Sequence, residues 1–332
     1  MAIKVAVFDA KSYDEKSFEE KNKQYNFQIT YFKERLTKDI VSLASGYDVA
    51  CIFVNAECDA TVVDALADEG VRMIALRCAG FNNVDLEAAR RRGIKVVRVP
   101  AYSPHGVAEY AVTLMLSLNR KIYRAINRTR EGNFSLEGLL GFDMYGKTAG
   151  IVGTGKIAKE LVKILHGFGM KILAYDVYPD TEFAAKWGME YVSLDQLYRN
   201  SDIISLHCPL NEQTKFIINK DSIAKMKDGV MIINTGRGKL IHTLDLIEGL
   251  KDKKVGSAGL DVYEEEGDYF YEDRSNKMID DDILARLLMM PNVIVTSHQA
   301  FFTAEALSNI AETTLGSINE LEKGLPLTNE VK

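Results

Sequence analysis

Hydrophobic positions along the chain fall into two alternating periods. Short runs rich in β-branched residues predict strands at Ile3–Phe8, Phe27–Phe32, Asp48–Val54, Met73–Cys78 and Lys95–Val99. Charged or amphipathic stretches separate them, such as Asp59–Glu69 and Val84–Arg92. Strands that alternate with helical stretches imply βαβ units and a parallel sheet. A long helical pattern then runs from Pro104 to about Arg130, apolar at Val107, Ala111, Leu114, Leu118 and Ile122. Pro104 suits its first turn, where a missing N–H costs nothing. Strand-like runs resume at Thr148–Val152, Lys171–Tyr175, Asp202–Leu206, Val230–Thr235, Ser257–Val262 and Val293–Thr296, and a helix over roughly Thr303–Lys323 follows. The pattern therefore predicts a second α/β sheet in the middle of the chain. Pro100–Ser103 and Ser297–Ala300 are the natural crossing points between the sheets.

Composition narrows the class without changing that picture. With 332 residues the chain is too long for one ordinary core. Apolar residues at 47% and charged residues at 27% fit a globular protein. The net charge of -6 argues against a nucleic-acid-binding surface. No stretch reaches the roughly 18 uncharged apolar residues of a membrane span, and Asp9 cuts short the first apolar run, so neither a membrane segment nor a signal peptide is expected. Cys51, Cys58, Cys78 and Cys208 form no C-x-x-C pair. They read as reduced packing residues of a cytoplasmic protein, and no metal site is expected.

The segment Gly153-Thr-Gly155-Lys156-Ile157-Ala158 carries the first chemistry. It follows a strand and opens a helix in the pattern Gly-x-Gly-x-x-Ala. Such a turn lets backbone N–H groups at a helix N-terminus meet a pyrophosphate. Asp176 ends the next strand about twenty residues on, where an acid would bind both ribose hydroxyls. No Arg follows it directly, which favours NAD over NADP. The alternative is a plain βαβ unit whose glycines serve packing alone; strand, spacing and acid together argue against it.

Three further strand ends carry polar residues of the right kinds. Arg237 lies in Asn234-Thr-Gly-Arg-Gly238, Glu266 ends a run of three glutamates past the strand Ser257–Val262, and His298 follows the strand at Val295. Reduction of a 2-keto acid needs this set. A guanidinium fork holds a carboxylate and stabilises charge on the carbonyl oxygen. Imidazole delivers a proton near neutral pH, and a carboxylate beside it favours the protonated ring. The residues alone do not separate Glu266 from Glu264 or Glu265. His207 is the alternative acid, and His166 reads as structural.

These residues sit in a wider set of segments: Arg77–Asp85, Tyr102–Glu109, the glycine loop, His207–Leu210, Asn234–Gly238, Gly259–Glu266 and Ser297–Phe302. In that order they resemble the D-2-hydroxyacid dehydrogenases over nearly the whole chain, and most closely the branch that acts on D-lactate. The resemblance implies Arg237 as substrate anchor, Glu266 as orienting partner and His298 as proton donor in the reduction of pyruvate by NADH. It implies Tyr102 and the backbone of Cys78, Ala79 and Gly80 around the substrate, with Phe301 near its methyl group. Cofactor contacts carried over are Gly153, Gly155, Lys156, Ile157, Asp176, Cys208, Pro209, Thr235, Gly236 and Asp261, the last facing the nicotinamide amide. Ala158 and Ser297 depart from the usual residues, and His242 stands where an Asp is common.

The implied fold is α/β with two doubly wound parallel-sheet domains. A Rossmann-type NAD domain, 102–298, is inserted into a flavodoxin-like substrate domain made of 1–101 and 299–332. The resemblance further implies a cleft that closes on binding, and a homodimer or homotetramer joined through the helix after Pro104. A non-catalytic NAD sensor on the same fold is the rival, disfavoured by the intact Arg237, Glu266 and His298. Larger or phosphorylated hydroxyacids are rivals among substrates; with no further domain expected after residue 332, the long phosphoglycerate enzymes are disfavoured.

Overall fold

The computed structural model describes residues 2–331. Residues up to Ser103, together with those from Phe302 onward, form one compact unit; Pro104–Phe301 form the other. The crossings thus fall at 103/104 and 301/302, two and three residues beyond the expected boundaries at 101/102 and 298/299.

The first unit is built on β1 (Lys4–Val7), α1 (Ser12–Asn22), β2 (Gln28–Tyr31), β3 (Val49–Ile52), α2 (Ala60–Asp68), β4 (Met73–Leu76), α3 (Leu86–Arg92) and β5 (Lys95–Val97). Its five-stranded sheet has the order β2-β1-β3-β4-β5, with every pair parallel. That is the flavodoxin-like order. Residues of β3 and β4 are buried throughout, as strands covered on both faces must be. Local chemistry starts the helices: Asp59 accepts from the Val62 N–H at 2.9 Å, and Asp85 from the Ala88 N–H at 2.8 Å. The terminal helix, Ala304–Glu322, lays Ala311, Leu315 and Ile318 against Val5, Val7, Phe18 and Met73.

The second unit starts with α4 (Pro104–Arg120) and α5 (Ile122–Arg130). The pattern predicts one helix here; the structure has two, because Lys121 sits in the left-handed region with φ 49°. That conformation breaks the i→i−4 ladder, and apolar periodicity cannot report it. The rest comprises β6 (Thr148–Val152), α6 (Lys156–Gly167), β7 (Lys171–Tyr175), α7 (Thr181–Trp187), β8 (Met189–Tyr191), α8 (Leu194–Asn200), β9 (Ile203–Leu206), α9 (Lys220–Lys225), β10 (Val230–Asn234), α10 (Thr243–Lys251), β11 (Val255–Leu260), α11 (Asp282–Met289) and β12 (Val293–Val295). The seven-stranded parallel sheet runs β12-β11-β10-β9-β6-β7-β8. Counted from β6 this is the doubly wound order 3-2-1-4-5-6 with one more strand at the edge. The sheet reverses direction between β6 and β9, so the glycine loop after β6 lies at the switch point. β11 starts and ends two residues before the expected Ser257–Val262. Its glycines, Gly256 and Gly259, lack the β-branched signature and obscure the start of the strand. The short β8 is not predicted at all; three residues, Met189–Tyr191, are too few for a period.

Candidate active site

The turn after β6 is shaped by what its residues lack. Gly153 has φ +89°, a conformation that L side chains rarely adopt. A Cβ there would also lie 2.5 Å from the Cys208 backbone nitrogen, so only glycine lets the ends of β6 and β9 approach this closely. Gly155 is the N-cap of α6, exposed, with nothing within 4 Å of where a Cβ would stand. Lys156 is exposed beside it and Ile157 half-buried, so the first turn of α6 presents unpaired N–H groups to open space. Ala158 is fully buried, as close packing of helix on strand requires.

Asp176, just past β7, closes this turn from the other side. Its Oδ2 accepts from the Thr154 N–H at 2.5 Å and the Thr154 hydroxyl at 2.9 Å, and its Oδ1 accepts from the Tyr178 N–H at 2.9 Å. Burial pushes the carboxyl up, but the hydrogen bonds from Tyr178 and Thr154 outweigh it and hold the group below its ordinary value. It is therefore ionised at neutral pH, with lone pairs still open to a diol. Thr235, after β10, is 8% exposed and its buried Oγ1 has no partner. Cys208 is half-buried and Pro209 exposed after β9, on the far side of the same switch point. A helix N-terminus in open space, an ionised acid one strand away and an orphaned hydroxyl fit a dinucleotide. The acid side fits a free ribose 2′-hydroxyl better than a phosphate there.

Three neighbouring strands then deliver the polar set. After β10, the buried Asn234 folds the chain back on itself: its Oδ1 accepts from the Gly236 N–H at 3.0 Å and its Nδ2 donates to the Arg237 carbonyl at 2.9 Å. The next residue makes a close approach: a Cβ on Gly238 would fall 1.8 Å from the Tyr263 carbonyl oxygen. This contact binds the Arg237 loop to the segment after β11. Arg237 is half-buried, its Nη1 donates to the Gly236 carbonyl at 2.8 Å, and no carboxylate pairs with it among the described residues. Its fork remains available to an anion.

The segment after β11 supplies Glu266. Its Oε2 accepts from the Tyr263 N–H at 3.0 Å, which fixes the carboxylate, and its Oε1 lies 2.9 Å from Nδ1 of His298. The run of three glutamates is thereby resolved. Glu264 instead accepts from Thr243 at the start of α10, and Glu265 pairs with Lys239. His298, after β12, has φ 51° and donates its N–H to the Asp261 carbonyl at 2.7 Å. Its side chain is 15% exposed, and its Nε2 has no partner among the described residues.

Asp261, which the resemblance sets facing the nicotinamide amide, has its carboxylate engaged within the protein. It is 0% exposed, and its carboxylate accepts from the Thr296 hydroxyl at 2.6 Å and from the N–H groups of Gln299 and Ala300 at 2.9 and 2.8 Å. Burial holds its carboxyl above the ordinary value, against the pull of those bonds. The group clamps the loop that carries His298. Nothing in the sequence distinguishes such a clamp from a surface acid. His207 bonds through Nε2 to Ser205 Oγ at 2.8 Å, and desolvation pushes its imidazole down to about 4, so it is neutral and an unsuitable acid. His166, on α6, stands edge-on to Trp187 of α7, a packing contact. His242 pairs with Asp245, and the Thr243 N–H donates to Glu264.

The first unit holds a second loop, after β4. Arg77 is 2% exposed and donates to the carbonyls of Phe8 and Asp9 at 3.0 and 2.7 Å. The Cys78 thiol donates to the Gly80 carbonyl at 3.2 Å, and Arg98 donates to the Ala79 carbonyl at 2.8 Å while covering the Phe81 ring. The carbonyls of 79 and 80 are thus both held by side chains. Arg98 escapes sequence reasoning because no motif marks it. The Tyr102 carbonyl accepts from Asn309 at 2.7 Å. Phe301 is 8% exposed at the end of the second unit.

Residues 112–300 match the family described as D-isomer specific 2-hydroxyacid dehydrogenase, NAD binding domain. D-lactate dehydrogenase of Escherichia coli K12 is 51% identical over 329 residues, which covers 99% of this chain and 100% of that protein. The solved pyruvate reductase of Chlamydomonas reinhardtii superposes with a TM-score of 0.94 at 44% identity, covering 99% of this chain and 98% of that one. D-lactate dehydrogenase from Lactobacillus jensenii, solved with NAD+, gives a TM-score of 0.83 at 33% identity over 99% of this chain and 100% of that one. The chain belongs to the D-isomer-specific 2-hydroxyacid dehydrogenases, oxidoreductases that use NAD.

Proposed function

We propose that the protein is a D-lactate dehydrogenase that reduces pyruvate to D-lactate, with Arg237, Glu266 and His298 as its catalytic residues. The single observation that carries the reading is the 2.9 Å pair of Glu266 and His298, with Arg237 on a neighbouring strand end and without a carboxylate partner among the described residues. NAD, when bound in its reduced form, supplies the hydride. Gly153, Gly155, Lys156, Ile157, Asp176, Cys208, Pro209, Thr235 and Gly236 would hold it, while Asp261 acts through the loop it clamps. Arg237 binds the substrate carboxylate through two parallel hydrogen bonds and stabilises charge that develops on the carbonyl oxygen. His298 gives that oxygen its proton from Nε2, and the Glu266 carboxylate orients the ring through Nδ1. Tyr102, Phe301 and the backbone of Cys78, Ala79 and Gly80 would enclose the small substrate. On this reading Pro104–Phe301 is the NAD-binding unit and the remainder the substrate unit.

We further infer a homodimer or homotetramer in the cytoplasm. Around α5, Ile122, Phe134, Leu136 and Leu140 are 49%, 76%, 82% and 88% exposed, an apolar surface of the kind that a second copy covers. The four free cysteines suit a reducing compartment. No helix among the described residues is long and apolar enough to cross a membrane.

The experiment is NADH oxidation with pyruvate, phenylpyruvate and hydroxypyruvate, comparing kcat/KM. Pyruvate should lead. A higher value for either of the others reassigns the substrate, and no turnover with any keto acid removes the enzymatic reading. His298→Gln should lower turnover by about 10²–10⁴-fold.

A further inference from the structure

We propose that Tyr271 is a positioning residue for His298, holding that residue in the conformation in which its imidazole meets Glu266. The proposal rests on the reading of His298 as proton donor. It starts from backbone geometry. His298 has φ 51°, in a region that non-glycine residues rarely occupy and that persists where the surroundings over-determine it. Three hydrogen bonds act on the peptide groups flanking its Cα. The His298 N–H donates to the Asp261 carbonyl at 2.7 Å, the Gln299 N–H donates to the Asp261 carboxylate at 2.9 Å, and the His298 carbonyl accepts from the Tyr271 hydroxyl at 3.3 Å. The first holds the peptide before the Cα; the other two hold the peptide after it, Asp261 at its nitrogen and Tyr271 at its oxygen. The Tyr271 ring also lies beside the imidazole, with centroids 6.0 Å apart and planes at 33°.

The residue that does this is itself held. Tyr271 has φ 69°, and it follows a short helical turn in which the Glu266 carbonyl accepts from the N–H groups of Tyr269 and Phe270 at 3.1 and 3.0 Å. Phe270, 7% exposed, anchors that turn in the core of the sheet. One short segment, Glu266–Tyr271, therefore supplies both the carboxylate for Nδ1 and the hydroxyl for the backbone. The ring and the main chain of His298 are referenced to the same element. A proton donor misplaced by about 1 Å can lose two orders of magnitude in rate, so such double referencing has a kinetic consequence.

The test uses Tyr271→Phe, which keeps the ring and deletes the hydroxyl, and Tyr271→Leu, which deletes both. Turnover with pyruvate and NADH should fall about three- to tenfold in the Phe variant, the effect of one lost hydrogen bond. The Leu variant should fall further, with Phe restoring part of the loss. The KM for pyruvate and the NADH affinity from fluorescence titration should stay within about twofold. Adding Tyr271→Phe to His298→Gln should cost nothing more in single-turnover rate, because the side chain it positions is gone. An unchanged kcat in both Tyr271 variants overturns the proposal. So does an equal loss in the His298→Gln background, which would mean a general structural role. Should His298→Gln alone keep full turnover, the proton-donor reading fails first and takes this proposal with it.

Discussion

The loops after β6 and β12 leave the same end of one parallel sheet and are built by opposite means. The first owes its shape to missing side chains: Gly153 turns at φ +89° against the Cys208 backbone, and Gly155 leaves space open above the start of α6. The second owes its shape to added polar groups. The buried Asp261 carboxylate collects a hydroxyl and two N–H groups from residues 296–300, and the Asp261 carbonyl takes the His298 N–H. A loop that receives a bulky anion needs room and bare N–H groups. A loop that presents one imidazole needs fixed orientation, which hydrogen bonds to a buried charge provide.

The contrast can be broken most severely at Gly153. Gly153→Ala should destabilise the protein by about 2–4 kcal/mol, through strain and backbone overlap together, and should weaken NADH binding at least about tenfold. Urea midpoints and NADH fluorescence titration check both; wild-type values in each would mean that the turn relaxes freely. On the other loop, Asp261→Asn exchanges one acceptor oxygen for a donor amide that faces N–H groups. A stability loss of about 1–3 kcal/mol and a clear fall in kcat should follow, with NADH affinity less affected. If NADH affinity alone changed, Asp261 would be a cofactor contact after all.

The neutral His207 between the two loops sets a pH dependence. Its imidazole titrates near 4 when folded, against 6.5 for the ordinary group. The unfolded chain takes up a proton as pH falls below about 6.5, and the folded chain does not until about 4. The stability contribution is therefore fully present above pH 6.5 and is lost as pH falls through that window. Between pH 7 and pH 5 it should diminish by about 2 kcal/mol, and His207→Asn should flatten that slope in urea titrations. Equal slopes in both proteins would contradict it. The smallest effect belongs to Gly155→Ala. Stability should stay within about 0.5 kcal/mol, since the new methyl group meets nothing, while NADH affinity falls. Unchanged affinity would show that no ligand approaches that backbone.

The same contrast explains what could be read from sequence. The glycine loop was legible because glycine is conspicuous and its spacing to Asp176 is fixed by one βαβ unit. The parallel strands Thr148–Val152 and Lys171–Tyr175 were legible to the residue, because buried strands are continuous apolar runs. The bonds of Asp261, Tyr271 and Arg98 were not. Each joins residues far apart in the chain through hydrogen bonds that leave no periodic trace. The break at Lys121 was hidden for a related reason: a single left-handed residue does not interrupt an apolar stripe.

The nesting of one unit within the other also orders the birth of the protein. Pro104–Phe301 is one uninterrupted stretch, so its sheet can assemble as soon as that stretch has left the ribosome. The other unit is begun first and finished last. Val5, Val7 and Met73 keep an apolar face uncovered until Ala311, Leu315 and Ile318 arrive from the far end of the chain. A nascent chain thus carries a sticky half-built sheet through most of its synthesis, open to chaperones and proteases until the last helix emerges.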